Sequence, residues 1–352
     1  MLPGYASPLQ TETFAARHTT LQTASFYRLT SNGLHLSSLG IGTYLGKADD
    51  ETDQRYTQAV MTGVHAGINV IDTSLNYRGQ RSERAIGRAL LQLMSVEGID
   101  RSALLVCTKA GYLVRGALLR NLPSEDVAGG MHSMAGVFLS DQLERSRVNL
   151  GLDVLDVFYL HNPETQLRFV TQQIFYDRVR QAFETLEKQV SAGSIRCYGV
   201  ATWEGFRQAG QLSLLRMIEI AQECGGDNHH FRFIQLPFNL GMPEAFTLRN
   251  EQWDGQPATV LQVAEHFGIT VVASASLLQA KLTNELPGPL SARLPGLETD
   301  AQRAIQFARS TPGIAVALAG MSRPEHVKEN LGVASVPPLA PAQYNAIYDG
   351  GV

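Results

Sequence analysis

A chain of 352 residues is either two average domains or one large barrel, and 44% hydrophobic with 18% charged residues suits a globular enzyme with a sizeable core. The net charge of −4, with no basic excess and no basic amphipathic stretch, leaves no footprint for nucleic acid or a membrane surface. Cys107, Cys197 and Cys224 are odd in number and scattered, so they read as core residues of a reducing compartment; residues 1–25 are polar and carry neither a secretory signal nor a membrane span, so a cytoplasmic location is expected.

Residues 1–25 read as an extension ahead of one domain at 26–352. The stretch 27–36 reads as strand, Ser31-Asn32-Gly33 turn, strand, because Asn-Gly between apolar-containing runs is a strong hairpin signal; this hairpin is expected outside the barrel, closing its bottom. Strand-length apolar runs follow at 36–43, 68–72, 104–109, 155–161, 195–201, 233–237, 269–274 and 313–319. Most are continuous rather than alternating, which means burial on both faces, as in a parallel sheet covered by helices. Helical segments fall between them at 53–66, 83–93, 177–192, 259–267 and 301–310. In the third, Val179, Phe183, Leu186 and Val190 recur at helical spacing, and Gly193 suits the stop.

Eight strands alternating with helices predict a (β/α)8 barrel with an N-terminal β-hairpin. A doubly wound open sheet is the alternative, weakened by the lack of a Gly-x-Gly-x-x-Gly turn after an early strand. The stretch 112–137 is too long for an ordinary connection. It leaves the third strand at its C-terminal end and, with Gly129-Gly130 and several apolar residues, is expected to form a loop over the site.

In such a barrel the C-terminal strand ends converge on one rim, where the chemistry sits. Asp72 closes the second strand and Tyr77 follows it; Lys109 closes the third and His161 the fourth. Alone, Asp72 reads as a turn starter, Tyr77 as a surface phenol and His161 as a structural histidine. Lys109 is stranger, because a charge ending an apolar strand needs a partner. Together they make a proton donor. A free phenol is a slow acid near neutrality, a cation beside it lowers its pKa, and a carboxylate keeps that cation charged. Tyr77 is then the expected acid, Lys109 its cation, Asp72 the anchor and His161 a hydrogen-bond donor to the reacting oxygen.

At these strand ends the residues resemble the aldo-keto reductase family. The likeness is carried by Ile71-Asp72-Thr73-Ser74-Leu75-Asn76-Tyr77 with Ser82-Glu83, by Thr108-Lys109-Ala110-Gly111, and by Leu160-His161-Asn162-Pro163-Glu164. It extends through Gly199-Val200, Gln235 and the segment from Gly320 to Asn330. The resemblance implies a monomer-sized barrel oxidoreductase that reduces aldehydes and ketones with NADPH, NADH being the alternative. Its cofactor contacts would fall on Thr202, Gln235, Ser274 and Gly320. Ser322 and Arg323 would take the adenosine-side phosphate, since helix N-terminal amides favour anions, and His326 and Asn330, one turn apart, would reach the adenine. Four positions, in three places, depart from the family pattern. Ala201-Thr202 stand where Ser-Asn is usual, Ser274 where an aromatic residue is usual, and Ser322 where Arg or Lys is common.

The expected partner is a small carbonyl substrate, with oligomeric state undetermined. His132 is weighed as facing substrate or solvent, Trp203 as pocket wall or packing, and His229-His230 as a solvated loop. The rival from another class is a regulatory or structural barrel that binds cofactor and turns over little. A metal-dependent barrel hydrolase is disfavoured by the absence of a His-x-His pair after an early strand.

Overall fold

The computed structural model describes residues 1–22 and 25–348, and within them eight parallel strands close into a barrel. The strands are β1 (Leu39–Gly42), β2 (Val70–Asp72), β3 (Leu105–Ala110), β4 (Leu155–His161), β5 (Ile195–Ala201), β6 (Phe231–Pro237), β7 (Thr270–Ser274) and β8 (Ile314–Gly320). They follow one another round the wall, and the ring shuts where Ala319 of β8 pairs with Ile41 of β1. Every residue of β2, β3 and β4 is buried, because one face looks into the barrel and the other lies under helices. That double burial is the cause of the continuous apolar runs. The open doubly wound sheet is excluded by the closure, and residues 349–352, the far end of the expected domain, lie outside the described residues.

The covering helices are α1 (Asp50–His65), α2 (Arg81–Ser95), α3 (Gly136–Leu150), α4 (Gln172–Ser191), α5 (Leu214–Gly225), α6 (Val260–His266), α7 (Asp300–Ser310) and α8 (Pro324–Asn330). Their starts follow from capping. Asp49 accepts from Thr52 N ahead of α1, Thr171 from Ile174 N ahead of α4, and Thr299 with Gln302 forms a capping box on α7. The α4 stripe Phe175, Val179, Phe183 and Leu186 is buried. Truncating Phe183 to Ala would cost about 3–5 kcal/mol. The helix ends at Ala192, and Gly193 turns the chain at φ +75°. Helices α3 and α5 were not among the expected segments. The start of α3 falls inside the stretch expected as loop.

The run 36–43 proves to be two strands. His35–Ser37 pairs with Tyr27–Leu29 in the expected hairpin, and only Leu39–Gly42 enters the barrel. The break falls at Ser38, whose amide donates to Phe26 O, while Ser37 N donates to Asn69 Oδ1. The hairpin seals the bottom. Leu34 and Leu36 join Val70, Leu105, Val157 and Val316 in one buried cluster. Each such side chain contributes about 1.5–3 kcal/mol relative to exposure. Ala6 N donates to Asp156 Oδ1 at 2.6 Å, and Asp156 Oδ2 accepts from Arg101 Nη2 and Val106 N, both at 2.7 Å. The helix Pro8–Arg17 follows, its Phe14 buried in the main core. With that end shut, the opposite rim is the open one.

Candidate active site

The strand registers bring the four expected residues to one rim. Asp72 pairs with Gly42 and Cys107, Lys109 lies beside Tyr159, and His161 beside Ala201. After β2, three successive residues, Arg78, Gly79 and Gln80, take positive φ values of 50°, 62° and 72°. This reversal lets α2 begin at Arg81 just after Tyr77. It is pinned by Arg78 Nη1 on Asp53 Oδ1 of α1 at 2.5 Å, a pair that is almost fully buried.

Lys109 Nζ is fully buried and donates to Asp72 Oδ1 at 2.5 Å, to Thr73 O at 2.8 Å and to Tyr77 Oη at 3.3 Å. Gln235 Nε2 donates to Asp72 Oδ2 at 2.8 Å, so each carboxyl oxygen faces a donor; burial pushes the Asp72 carboxyl above its ordinary range, and Lys109 and then Gln235 oppose that shift. Burial pulls the Lys109 ammonium down, but Asp72 and Tyr77 outweigh it and hold it above its ordinary range. The phenol differs from expectation. Burial pushes Tyr77 above its ordinary range and Lys109 only opposes that, so Tyr77 rests as a neutral, protonated phenol. Desolvation of a full phenolate outweighs the Lys109 cation beside it, an effect invisible in sequence.

His161 is neutral. Burial, then Lys109 and His132, hold its ring well below the ordinary histidine range. Its Nδ1 lies 3.1 Å from Ser74 Oγ. Its backbone carbonyl accepts from His132 Nε2 at 2.8 Å, and Gln166 Nε2 donates to His132 Nδ1 at 3.1 Å. His132 is therefore fully buried behind the rim, with burial lowering its pKa to about 4. It faces neither substrate nor solvent, the two alternatives weighed for it: its ring nitrogens are both spent on the scaffold. A Cβ on Gly111 would sit 2.6 Å from both His132 Nε2 and His161 O, so only glycine fits that approach.

The expected loop over the site is also corrected. Residues 112–135 fold back beside β4, with short strands Val127–Ala128 and His132–Ser133, and are tied down by Leu113 N to Met131 O and Ser133 N to Gly111 O. Of that stretch only Tyr112 reaches the main cavity. This cavity of about 400 Å³ opens at the rim, bordered by Asp72, Tyr77, His161 and, from the far side, by Trp203, Ser274 and Gly320. Trp203 is thus wall. His230 Nδ1 lies 2.7 Å from Glu187 Oε2, and His229 Nδ1 lies 3.2 Å from Arg232 Nη1.

Of the expected cofactor residues, Thr202, Gln235, Ser274 and Gly320 border this cavity. Thr202 Oγ1 and Ser276 Oγ are buried with no hydrogen-bond partner among the described residues. Ser322, Arg323, His326 and Asn330 lie beyond it at the start and along α8. Arg323 is the N-cap and makes no side-chain cap bond; it and His326 are exposed, whereas Asn330 is buried. Ser74, Ser276, Tyr112 and Asn162 were missed. Ser74 sits within the motif that ends at Tyr77, so strand-end position was its available signal. Tyr112, whose ring packs edge-on against His161 at 5.3 Å, gave none.

Residues 38–289 match the model of the aldo/keto reductase family. Among solved structures, the chain is similar to an aldo/keto reductase from Klebsiella pneumoniae in complex with NADP and acetate. The identity is 19%, covering 92% of this chain and 95% of that one, with a TM-score of 0.63. It is equally similar to the holo form of an aldo-keto reductase from Bacillus halodurans, at 20% identity over 92% of this chain and 95% of that one, TM-score 0.63. At such identities the likeness is one of fold.

Proposed function

The chain belongs to the aldo/keto reductase family, and on that premise we propose that it is an NAD(P)H-dependent oxidoreductase reducing an aldehyde or ketone to an alcohol, with Tyr77 as general acid. The observation that carries this reading is the 3.3 Å contact between Tyr77 Oη and Lys109 Nζ on the edge of an open cavity. A neutral phenol is what a proton donor must be at rest. As the carbonyl oxygen gains negative charge it becomes far more basic than a phenolate, and the proton moves from Tyr77 Oη to it. The phenolate left behind faces the Lys109 ammonium, which Asp72 and Thr73 O hold in place. His161, neutral and fixed through Ser74 and His132, donates from Nε2 to the same oxygen and orients it.

A reduced nicotinamide, when bound, supplies the hydride. The residues fit such a group. Thr202 Oγ1 and Ser276 Oγ are buried polar atoms awaiting partners, and Gly320 leaves close approach open on the same wall. Thr202, Gln235, Ser274 and Gly320 would hold the nicotinamide half, although the Gln235 amide nitrogen is already spent on Asp72. Ser322 and Arg323 would hold the phosphate, and His326 and Asn330 the adenine. NADPH is proposed because the Klebsiella relative was crystallised with NADP; NADH is the alternative. A second reading, a cofactor-binding regulatory barrel with little turnover, is favoured by Ser274, which offers no ring to stack on the cofactor.

The test is consumption of NADPH and of NADH across an aldehyde and ketone panel. Turnover that Tyr77→Phe lowers by about 10²–10⁴-fold, with cofactor affinity kept, supports the reductase. Tight cofactor binding without turnover supports the regulator.

A further inference from the structure

A second cavity, of about 570 Å³, adjoins the first and shares Tyr112, Asn162 and Trp203 with it as a common wall. Among its lining residues is Glu164, whose carboxyl group is buried. Glu164 Oε1 accepts from three backbone amides, Trp203 N at 2.7 Å, Glu204 N at 3.0 Å and Gly205 N at 3.3 Å. These bonds explain why the group is buried and why the loop after β5 stands where it does. They do not explain Oε2, which is buried with no hydrogen-bond partner among the described residues. A carboxyl oxygen left that way is costly, and a site that keeps one invites a donor. Around it Met131, Leu167 and Val170 give apolar wall, and at the edge Arg168 faces Glu204 at 3.7 Å.

We propose that this second cavity is the distal subsite for the carbonyl substrate and that Glu164 Oε2 hydrogen-bonds a hydroxyl there, which makes the substrate class long aldehydes bearing a hydroxyl remote from the carbonyl. The inference rests on the reductase reading and deepens it. Glu164 lies three residues beyond His161, with Asn162 left-handed and Pro163 opening a 3-10 turn, so their Cα atoms are closer than the roughly 10 Å that three extended residues would span, and one chain of that length reaches from carbonyl to hydroxyl. A hydroxyl suits the position better than an ammonium. Burial pushes the Glu164 carboxyl above its ordinary range, and a hydroxyl can donate to it when ionised or accept from it when protonated. The apolar wall fits the intervening chain, and at the edge Arg168 and Glu204 offset one another.

The experiment compares propanal, octanal and 8-hydroxyoctanal on the wild-type enzyme, and then the two long substrates on Glu164→Met. This variant keeps the length of the side chain and removes every hydrogen-bonding group from it. The wild type is expected to favour 8-hydroxyoctanal over octanal by about tenfold or more in kcat/KM, expressed in KM. In Glu164→Met that preference falls to near one. Equal use of the two long aldehydes by the wild type, while propanal is reduced, overturns the subsite and leaves the reductase reading standing; this arm decides even if the variant does not fold. A wild-type preference that survives Glu164→Met overturns the assignment to Glu164. Failure to reduce any of the three removes the reductase reading and the subsite with it.

Discussion

The two halves of the rim are built on opposite rules. Between β2 and β4 the polar groups satisfy one another. Lys109 Nζ has three partners, Asp72 a donor on each oxygen, and His161 is held at its ring by Ser74 and at its carbonyl by His132. Between β5 and β8 the hydroxyls of Thr202 and Ser276 are buried without partners, and Ala275, Leu278, Gln279 and Ala280 take positive φ values of 53°, 46°, 53° and 69° at the mouth. A closed network has one arrangement before anything binds, whereas orphaned hydroxyls and a strained turn hold free energy that a ligand can release. The half that carries the proposed acid is therefore part of the fold, and the proposed cofactor half is left to be completed from outside. Mutations in the two halves should then differ in kind: one set costs stability and activity together, the other affinity alone.

The largest effect separates them most clearly. Lys109→Met leaves the Asp72 carboxylate buried with only Gln235 to answer it. Breaking a buried pair from one side costs about 3–5 kcal/mol. Denaturant unfolding should show that loss, and turnover should vanish with it. An unchanged unfolding midpoint would mean that Asp72 had protonated without penalty, and the acid half would not be the rigid element described.

The next effect is a pH dependence belonging to the same half. His132 is fully buried with its pKa lowered to about 4 from the ordinary 6.5. Between those values the unfolded chain binds a proton that the folded one refuses. Stability is thus complete above pH 6.5, falls as pH drops toward 4, and levels off below, a span of roughly 3 kcal/mol for this group. His132→Gln keeps a donor for the His161 carbonyl and removes the titration. The difference in stability between wild type and variant should shift in the variant's favour across that window. A constant difference would show that His132 already shares a proton in the folded state.

What sequence revealed follows the same division. Asp72, Lys109 and His161 were legible because each breaks a continuous apolar run at its end, and a charge at that place needs a reason. The barrel itself was legible for the same reason, since burial on both faces writes itself into composition. The net effect on Tyr77 was not, because it depends on how much water the assembled rim excludes. Nor was the placement of 112–135: it is fixed by Gln166, His132 and the His161 carbonyl meeting across the chain, and no local pattern encodes that contact. The serine break in 36–43 was misread because Leu36 and Leu39 look alike until the barrel closes between them. On the cofactor side only resemblance named residues, since Thr202 and Ser276 are ordinary until burial strips them of water.

The smallest effect tests the other half. Thr202→Val keeps the volume and removes a hydroxyl that has no partner to lose. Without ligand its stability should stay within about 0.5 kcal/mol of wild type or rise slightly, since an unsatisfied buried polar group is traded for an apolar one. With NADPH the order should reverse. If the hydroxyl meets the nicotinamide half, its loss weakens binding by about tenfold, and the stabilisation by a fixed excess of cofactor shrinks by about 1.4 kcal/mol. Thermal unfolding of both proteins with and without NADPH reads the two terms together. A variant destabilised without ligand would place Thr202 with the acid half, as scaffold. A variant with unchanged cofactor response would leave Ser276 as the hydroxyl that the ligand completes.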